Sequence, residues 1–321
     1  MLNPKKKRKE CYFAGILAAA AAISLLSGCG GGTPSLEEAL KKTASYEQTS
    51  IPSPASDSLG GEWTVIALAR SGEEAEDGYY EKYRANLEKR VKEQEGVLSE
   101  NRYTEYARAV LACKAIGIDP SDIGGYDLGK PLDDFEAVTA QGLNGAVYAL
   151  LALNADRLEI DGELEQKYLT YIVEQEKPSG GFSLDDSSDT ADVDLTAMTL
   201  QCLEPYATEE EISAIIDRGV EFLADAQAED GGYEAYGDKS SQVILALSTY
   251  GIDCNKDERF QKKEKGLYDN LMEYYKKDGS FSHILDGDSD PMATDQAFCA
   301  MAAYSRFLNG KTSFYDMSDT N

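Results

Sequence analysis

The chain has 321 residues, of which 58 are acidic, 31 are basic and one is histidine, and its formal net charge is −27. An excess of acid this large argues against a nucleic-acid partner, because nucleic acids are bound through Lys and Arg. A single histidine argues against Ser-His-Asp catalysis and multi-histidine zinc sites. The hydrophobic content of 42% is enough for a packed core and excludes a wholly disordered chain.

The N-terminal segment has the layout of a bacterial export signal. Five consecutive basic residues precede an apolar run of 16 residues, which is short for a membrane span. The run ends in Leu-Ser-Gly-Cys at Cys29, followed by three glycines. This motif resembles a lipobox, which implies cleavage before Cys29 and a diacylglycerol on its thiol. We therefore expect a signal peptide over residues 1–28 and a lipidated tether over 29–35; the alternative is an uncleaved anchor.

Either reading places the folded part outside the cytoplasm, at the bacterial cell membrane. Cleavage would leave 57 acidic and 26 basic residues in the mature chain. An anionic membrane surface would repel such a protein, so the lipid on Cys29 must supply the anchoring.

A pattern of alternating helical segments repeats along the rest of the chain. Amphipathic segments with one polar face are Leu36–Gln48, Tyr79–Gln94, Asp133–Ala140, Glu163–Glu176, Glu209–Gln227 and Lys265–Lys276. Between them lie segments rich in small residues that are apolar nearly all round, and these begin at Glu62, Glu105, Asn144, Asp194, Gln242 and Asp295. Successive starts are 39 to 53 residues apart, a spacing typical of repeated helix pairs.

The repeats predict an all-α fold, an (α/α)6 toroid with six inner and six outer helices. Gly-aromatic turns such as 180–182, 231–233 and 279–281 join several of the pairs, and their glycines suit a positive φ after a helix. A closed ring would explain the lack of a polar capping repeat. We expect the toroid to occupy residues 36–310 and residues 311–321 to form an irregular C-terminal tail.

Three motifs resemble those of the terpenoid cyclase/protein prenyltransferase superfamily. Gln175 and Gln227 each precede a Gly-Gly-aromatic turn, which is similar to the superfamily's Gln/aromatic repeat. The stretch Asp192-Val-Asp194-Leu-Thr-Ala is similar to the Asp-x-Asp-Asp-Thr-Ala motif of squalene-hopene cyclases, although Leu195 replaces one acid. The chain also resembles Gram-positive surface proteins with prenyltransferase/squalene-oxidase repeats. The resemblance implies an α/α toroid and gives Asp194 the position of the cyclase proton donor.

Four acidic residues at the starts of inner helices are candidate catalytic residues: Glu62, Glu105, Asp194 and Asp295. If the inner helices run parallel, these residues meet at one mouth of the ring. The alternative is that they satisfy free N–H groups and the helix dipole. Carboxylates about 5–10 Å apart would favour glycan processing. An apolar chamber around a desolvated Asp194 would favour a cyclase-like isomerase, and a filled core would disfavour both.

Metal binding has weak support in the sequence. Asp286, Asp288 and Asp290 have the first three ligand spacings of an EF-hand loop, but the sixth and twelfth positions are Pro291 and Ala297, where that loop needs Gly and Glu. We predict no cofactor and keep calcium at these aspartates as the alternative.

A zinc site is also conceivable, because Asp295 and Cys299 share a helix face and His283 lies nearby. The bland reading is a buried thiol, a helix acid and a loop histidine. The sequence leaves open whether Cys113, Cys202, Cys254 and Cys299 are free thiols or form two disulfides.

These observations lead to a lipid-anchored, extracytoplasmic surface protein whose toroid binds a small molecule, a glycan or a protein partner without catalysis. The alternative is a terpene cyclase-like or glycan-processing enzyme that uses Asp194 and other inner-helix carboxylates.

Overall fold

The computed structural model describes residues 33–57, 59, 61–156, 162–184, 189–233 and 237–320. The predicted signal peptide, Cys29 and most of the tether lie outside these residues. The helices of the described part are α1 (Leu36–Ser50), α2 (Glu62–Ser71), α3 (Tyr79–Glu93), α4 (Thr104–Ala115), α5 (Phe135–Thr139), α6 (Leu143–Asn154), α7 (Gly162–Val173), α8 (Val193–Leu203), α9 (Glu210–Ala226), α10 (Gly237–Thr249), α11 (Leu267–Leu271) and α12 (Pro291–Leu308). In the described ranges, none of these helices combines the length and apolar character needed to cross a membrane.

The even-numbered helices form a closed inner ring. Neighbours pack in the order α2, α4, α6, α8, α10 and α12, and α12 returns to pack against α2. The odd-numbered helices lie outside: α1 packs on α12 and α2, α5 and α7 on α6, α9 on α8, and α11 on α10. The all-α (α/α)6 toroid predicted from the repeats is therefore confirmed.

The two kinds of helix follow from their residues. In α9, Ile212, Ile215, Ile216, Val220 and Leu223 are buried at helical spacing, while the other face carries exposed acids. The inner helix α6 is buried on nearly every face, and its alanines allow close packing with both neighbours. Each fully buried Leu or Ile contributes about 1.5–3 kcal/mol relative to leaving it in water.

Several predicted boundaries are wrong. The outer segments predicted over 133–140 and 265–276 are helical only in α5 and α11, followed in the second case by a short 3-10 turn. Inner helices α10 and α12 begin at Gly237 and Pro291, so Gln242 and Asp295 lie inside their helices instead of at the start. In α12 the cause is local: Asp290 caps the helix by accepting from Ala293 N–H, and proline fits the first turn.

Gln227 shows what the Gln/aromatic motif does in this fold. Its side-chain nitrogen donates to the carbonyl oxygens of Gly231, at 2.8 Å, and of Phe260 in the following repeat, at 3.0 Å. Gly231 has a φ of 93°, as predicted for this turn, and the hydroxyl of Tyr233 donates back to Leu223 O. The motif therefore ties one repeat to the next.

The Asp192–Thr196 motif holds a turn against α8. Asp192 is the helix cap and accepts from Leu195 N–H. The hydroxyl of Thr196 donates to Asp192 O at 2.6 Å and accepts from the N–H of Phe182 at 2.8 Å. Asp192 and Thr196 therefore stabilise the turn and the start of α8. The cap of this helix is Asp192 and not Asp194.

Thr294 makes the same contacts in α12, where its hydroxyl accepts from the buried N–H of Phe281 at 3.0 Å. We expect Thr294→Val to lower the free energy of unfolding by about 1–3 kcal/mol, because that N–H loses its acceptor while the side-chain volume is kept. Urea denaturation measures the change. Thr49→Val is the matched control, since the exposed Thr49 hydroxyl donates to Ser45 O in its own helix. Equal losses in the two variants would contradict the structural role of Thr294.

Candidate functional site

An open cavity of about 390 Å³ lies at the end of the ring where the inner helices begin. All six inner helices line it with side chains from their first three turns: Trp63, Thr104, Arg108, Asn144, Tyr148, Asp194, Met198, Gln242, Leu245, Met292, Gln296 and Cys299. The helices therefore run parallel, and their N-terminal ends surround one mouth. Tyr315, from the segment after α12, also lines the cavity.

The lining combines aromatic rings with planar polar groups. The rings of Trp63 and Tyr148 pack at 5.9 Å between centroids, inclined by 55°. Asn144, Gln242 and Gln296 contribute amides. The Oδ1 atom of Asn144 is buried and has no hydrogen-bond partner among the residues that the structure describes. The volume falls in the range of about 300–1,000 Å³ that small-molecule sites occupy.

Arg108 is held from behind the cavity wall by Glu62. The Arg108 Nε donates to Glu62 Oε2 at 2.6 Å, and the Tyr83 hydroxyl donates to Oε1 at 3.3 Å. Glu62 is 1% exposed. Burial raises the pKa of Glu62 to about 7, and the Arg108 guanidinium opposes that rise. Glu62 therefore holds the Arg108 side chain in place by a hydrogen bond and does not line the mouth, as the sequence suggested it would.

Among the described residues that line the cavity, Asp194 is the acidic one. It stands two positions after the cap Asp192, on the side of α8 that faces the mouth. The site is neither the filled core nor the wholly apolar chamber that the sequence left open as alternatives. Asp194 and Arg108 both line this cavity.

Glu105 lies at a different place. Its carboxylate bridges Arg90, at 2.9 Å, and Arg102, at 2.5 Å, beside an outer groove that Arg108 also lines. Its side chain is 9% exposed. Glu105 is therefore absent from the cavity lining and fixes the loop between α3 and α4.

Asp295 is buried inside the ring wall, where α12 meets α1 and α2. The Thr64 hydroxyl donates to Asp295 Oδ1 at 2.8 Å and lies 3.4 Å from Oε2 of Glu47. Burial raises the pKa of Glu47 to about 8, with Asp295 adding to the rise, and burial raises the pKa of Asp295 to about 7. The pair is therefore kept protonated in the folded protein up to neutral pH.

The proposed metal ligands are dispersed. No group of three or more His, Cys, Asp and Glu in the described ranges is arranged to hold a metal ion. Asp290 caps α12, whereas Asp286, Asp288 and His283 are exposed in the loop before it. The structure has Cys113, Cys202, Cys254 and Cys299 as free, buried cysteines. Burial raises the pKa of Cys299 well above its usual value, so the thiol in the cavity is protonated.

Sequence reasoning missed Arg108, Trp63, Gln296 and Tyr315 as site residues. Part of the signal was available, because Arg108 and Tyr148 stand four positions after Thr104 and Asn144, on the same helix faces. Trp63, Arg108 and Gln296 all lie within one turn of a predicted helix start, so including the first turn of each inner helix would have found them. Tyr315 follows no helical period, and nothing in its neighbours indicated a site.

No family model matches the chain, and no curated protein matches it. Solved structures do match, and a polysaccharide lyase is among them. That structure is 13% identical to this chain, with a TM-score of 0.50, and the match covers 85% of this chain and 97% of the lyase. At this identity the likeness shows the fold, an α/α toroid, and leaves the chemistry to the residues of the cavity.

The Glu47–Asp295 pair predicts how stability depends on pH. Above about pH 4 the unfolded chain releases two protons that the folded protein retains up to neutral pH, so the free energy of unfolding falls as pH rises through this range. Each unit of pKa difference corresponds to about 1.36 kcal/mol. Glu47→Gln should flatten this decline and stabilise the protein relative to the wild type at about pH 9.

Urea denaturation at about pH 5 and pH 9 measures the effect. Glu37→Gln is the control, because Glu37 is exposed on the same helix. If Glu47→Gln and wild type lose the same free energy over this range, the buried pair does not retain its protons as described.

Proposed function

We propose that this protein binds a short carbohydrate segment in the cavity at the mouth of the toroid. The observation that carries the proposal is the lining, in which the Trp63 and Tyr148 rings stand beside the amides of Asn144, Gln242 and Gln296. Sugars present apolar C–H faces to rings and hydroxyls to planar polar groups, so they need both kinds of surface. The polysaccharide lyase on the same fold lends this substrate class support by analogy.

A terpene cyclase-like activity has less support. The resemblance to the terpenoid cyclase superfamily agrees with the toroid, but a carbocation reaction needs an enclosed, mainly apolar chamber. This cavity is open and has Arg108, Asp194 and three amides in its lining.

The cellular setting follows from the N-terminal motifs. We propose that residues 1–28 direct export and that Cys29 carries the lipid, so that the toroid faces carbohydrates outside the cell. The leading form of the proposal is a binding protein that acts without metal or cofactor. Neutral carbohydrates suit the cavity, whose lining holds one guanidinium and one carboxyl group.

Carbohydrate cleavage is the second candidate, and Asp194 is the observation that favours it. A carboxylate beside bound sugar can act as a general base or acid. The common two-carboxylate arrangement of glycosidases lacks support, because Glu62 is engaged with Arg108 behind the wall. Burial also raises the pKa of Tyr148, which makes that phenol a poor base at neutral pH.

Trp63→Ala tests the binding site. We expect the full chain in detergent micelles to bind members of a panel of short cell-envelope oligosaccharides, and Trp63→Ala to weaken that binding by at least about tenfold, because the ring at the mouth is lost. Isothermal titration calorimetry measures the affinity. The control is Tyr171→Ala, which removes a ring from an outer groove on α7. Weaker binding in the control alone would place the site on the outer surface.

Asp194→Asn separates binding from cleavage. We expect the variant to bind the same oligosaccharide with an affinity within a few-fold of wild type, because the amide keeps the size and a hydrogen-bonding oxygen. Product analysis by mass spectrometry after long incubation is the second measurement. Cleavage by wild type that is lost in Asp194→Asn would replace the binding proposal with the enzyme.

A further inference from the structure

The segment after α12 is packed into the ring although it has no regular secondary structure. Phe314 and Met317 are 1% and 2% exposed. The N–H of Met317 donates to Ala155 O, at the end of α6, at 2.6 Å. We refer to residues 312–320 as the floor segment, because it closes the end of the barrel opposite the mouth.

Two arginines at the C-terminal ends of α2 and α12 hold the floor segment. Arg70 donates to the backbone carbonyls of Phe314, at 3.0 Å, and Asp316, at 2.6 Å, and to the Asp319 carboxylate at 2.6 Å. Arg306 donates to the other oxygen of Asp319 at 2.5 Å. Burial alone would raise the pKa of Asp319, but the two guanidiniums lower it to about 2. This carboxylate is therefore a charged link between both helices and the segment.

The floor segment carries Tyr315 into the cavity. The Tyr315 ring lines the cavity at the mouth on one side and a small cavity at the C-terminal ends of α6, α8 and α10 on the other. The ring of Phe314 packs against it edge-on, with 5.0 Å between centroids. Burial raises the pKa of Tyr315 well above its usual value. Its hydroxyl thus stays protonated and can both donate and accept a hydrogen bond.

We propose that Tyr315 is the floor of the carbohydrate site and sets how far a ligand enters, and that Asp319 positions it through Arg70 and Arg306. The depth assignment rests on the proposed function, whereas the placement of Tyr315 does not. Tyr315 belongs to the floor segment and not to an inner helix, so a substitution at this position can change the depth of the cavity without altering the ring.

A ligand-free experiment tests the floor. Trp63 is the single tryptophan of the chain and lines the same cavity. We expect Tyr315→Ala in the full chain to join the two cavities and raise the acrylamide quenching constant of Trp63. Tyr315→Leu keeps an apolar side chain on Phe314 and should shift quenching in the same direction if the alanine variant folds poorly. Unchanged quenching in a variant that melts cooperatively would overturn the assignment.

Asp319→Asn tests the positioning role, with Asp316→Asn as a matched control in the same segment. Asp316 contacts Arg70 through its backbone carbonyl, and its side-chain Oδ1 accepts from the N–H and the hydroxyl of Ser318. We expect Asp319→Asn to raise Trp63 quenching and Asp316→Asn to leave it unchanged. Equal quenching in both variants would show that the link through Asp319 does not position Tyr315.

A third experiment measures how far a carbohydrate enters the cavity. Using the oligosaccharide that binds best in calorimetry, extended one sugar at a time, we expect Tyr315→Ala and Asp319→Asn to shift the preference toward longer members by about tenfold in relative affinity. A merely structural role would lower the melting temperature without moving this preference. If quenching changes as expected but wild type binds no carbohydrate, the proposed function fails and the floor assignment stands.

Discussion

Closure of the inner ring is the constraint on which the rest of the structure depends. α12 has to pack against α2, and α1 has to cover that junction, before any inner helix is buried on both sides. The junction contains polar contacts as well as apolar ones: Thr64 bonds Asp295, and the Thr43 hydroxyl donates to Gly279 O at 2.7 Å. Gly279 has a φ of 101°, and a Cβ there would lie 2.5 Å from Lys42 O. The turn can therefore approach α1 only with glycine.

Parallel inner helices make the two ends of the ring chemically different. Free N–H groups and the positive ends of the helix dipoles face the mouth, where acids and amides are stabilised. Free carbonyls and the negative ends face the floor, where Arg70 and Arg306 lie in the last turns of their helices. One end thus collects groups suited to a ligand, and the other collects cations that bind a carbonyl-rich segment of the same chain.

The sequence predicts the fold well because hydrophobic periodicity is a property of each helix, and repeated pairs have few ways to bury their apolar faces. The role of a side chain depends on its position within the helix, and the capping residue sets that position because it fixes where the helix begins. Asp290 and Pro291 start α12 a full turn before Asp295, so Asp295 enters the wall. The same rule puts Asp192 at the cap and Asp194 in the cavity. The place of Glu62 behind the cavity wall has another cause, because its partner Arg108 is far away in sequence.

The acidity of the chain and the composition of the cavity point to the same kind of ligand. With a net charge of −27, the surface repels polyanions before they reach the mouth. Inside, the lining holds one arginine, Arg108, which Glu62 already binds, and one acidic residue, Asp194, while Cys299 and Tyr315 are protonated. The lining therefore has little net charge to offer a charged ligand. Ring faces and neutral hydrogen-bonding groups are what this lining offers, and they suit the uncharged carbohydrate that we propose as its ligand.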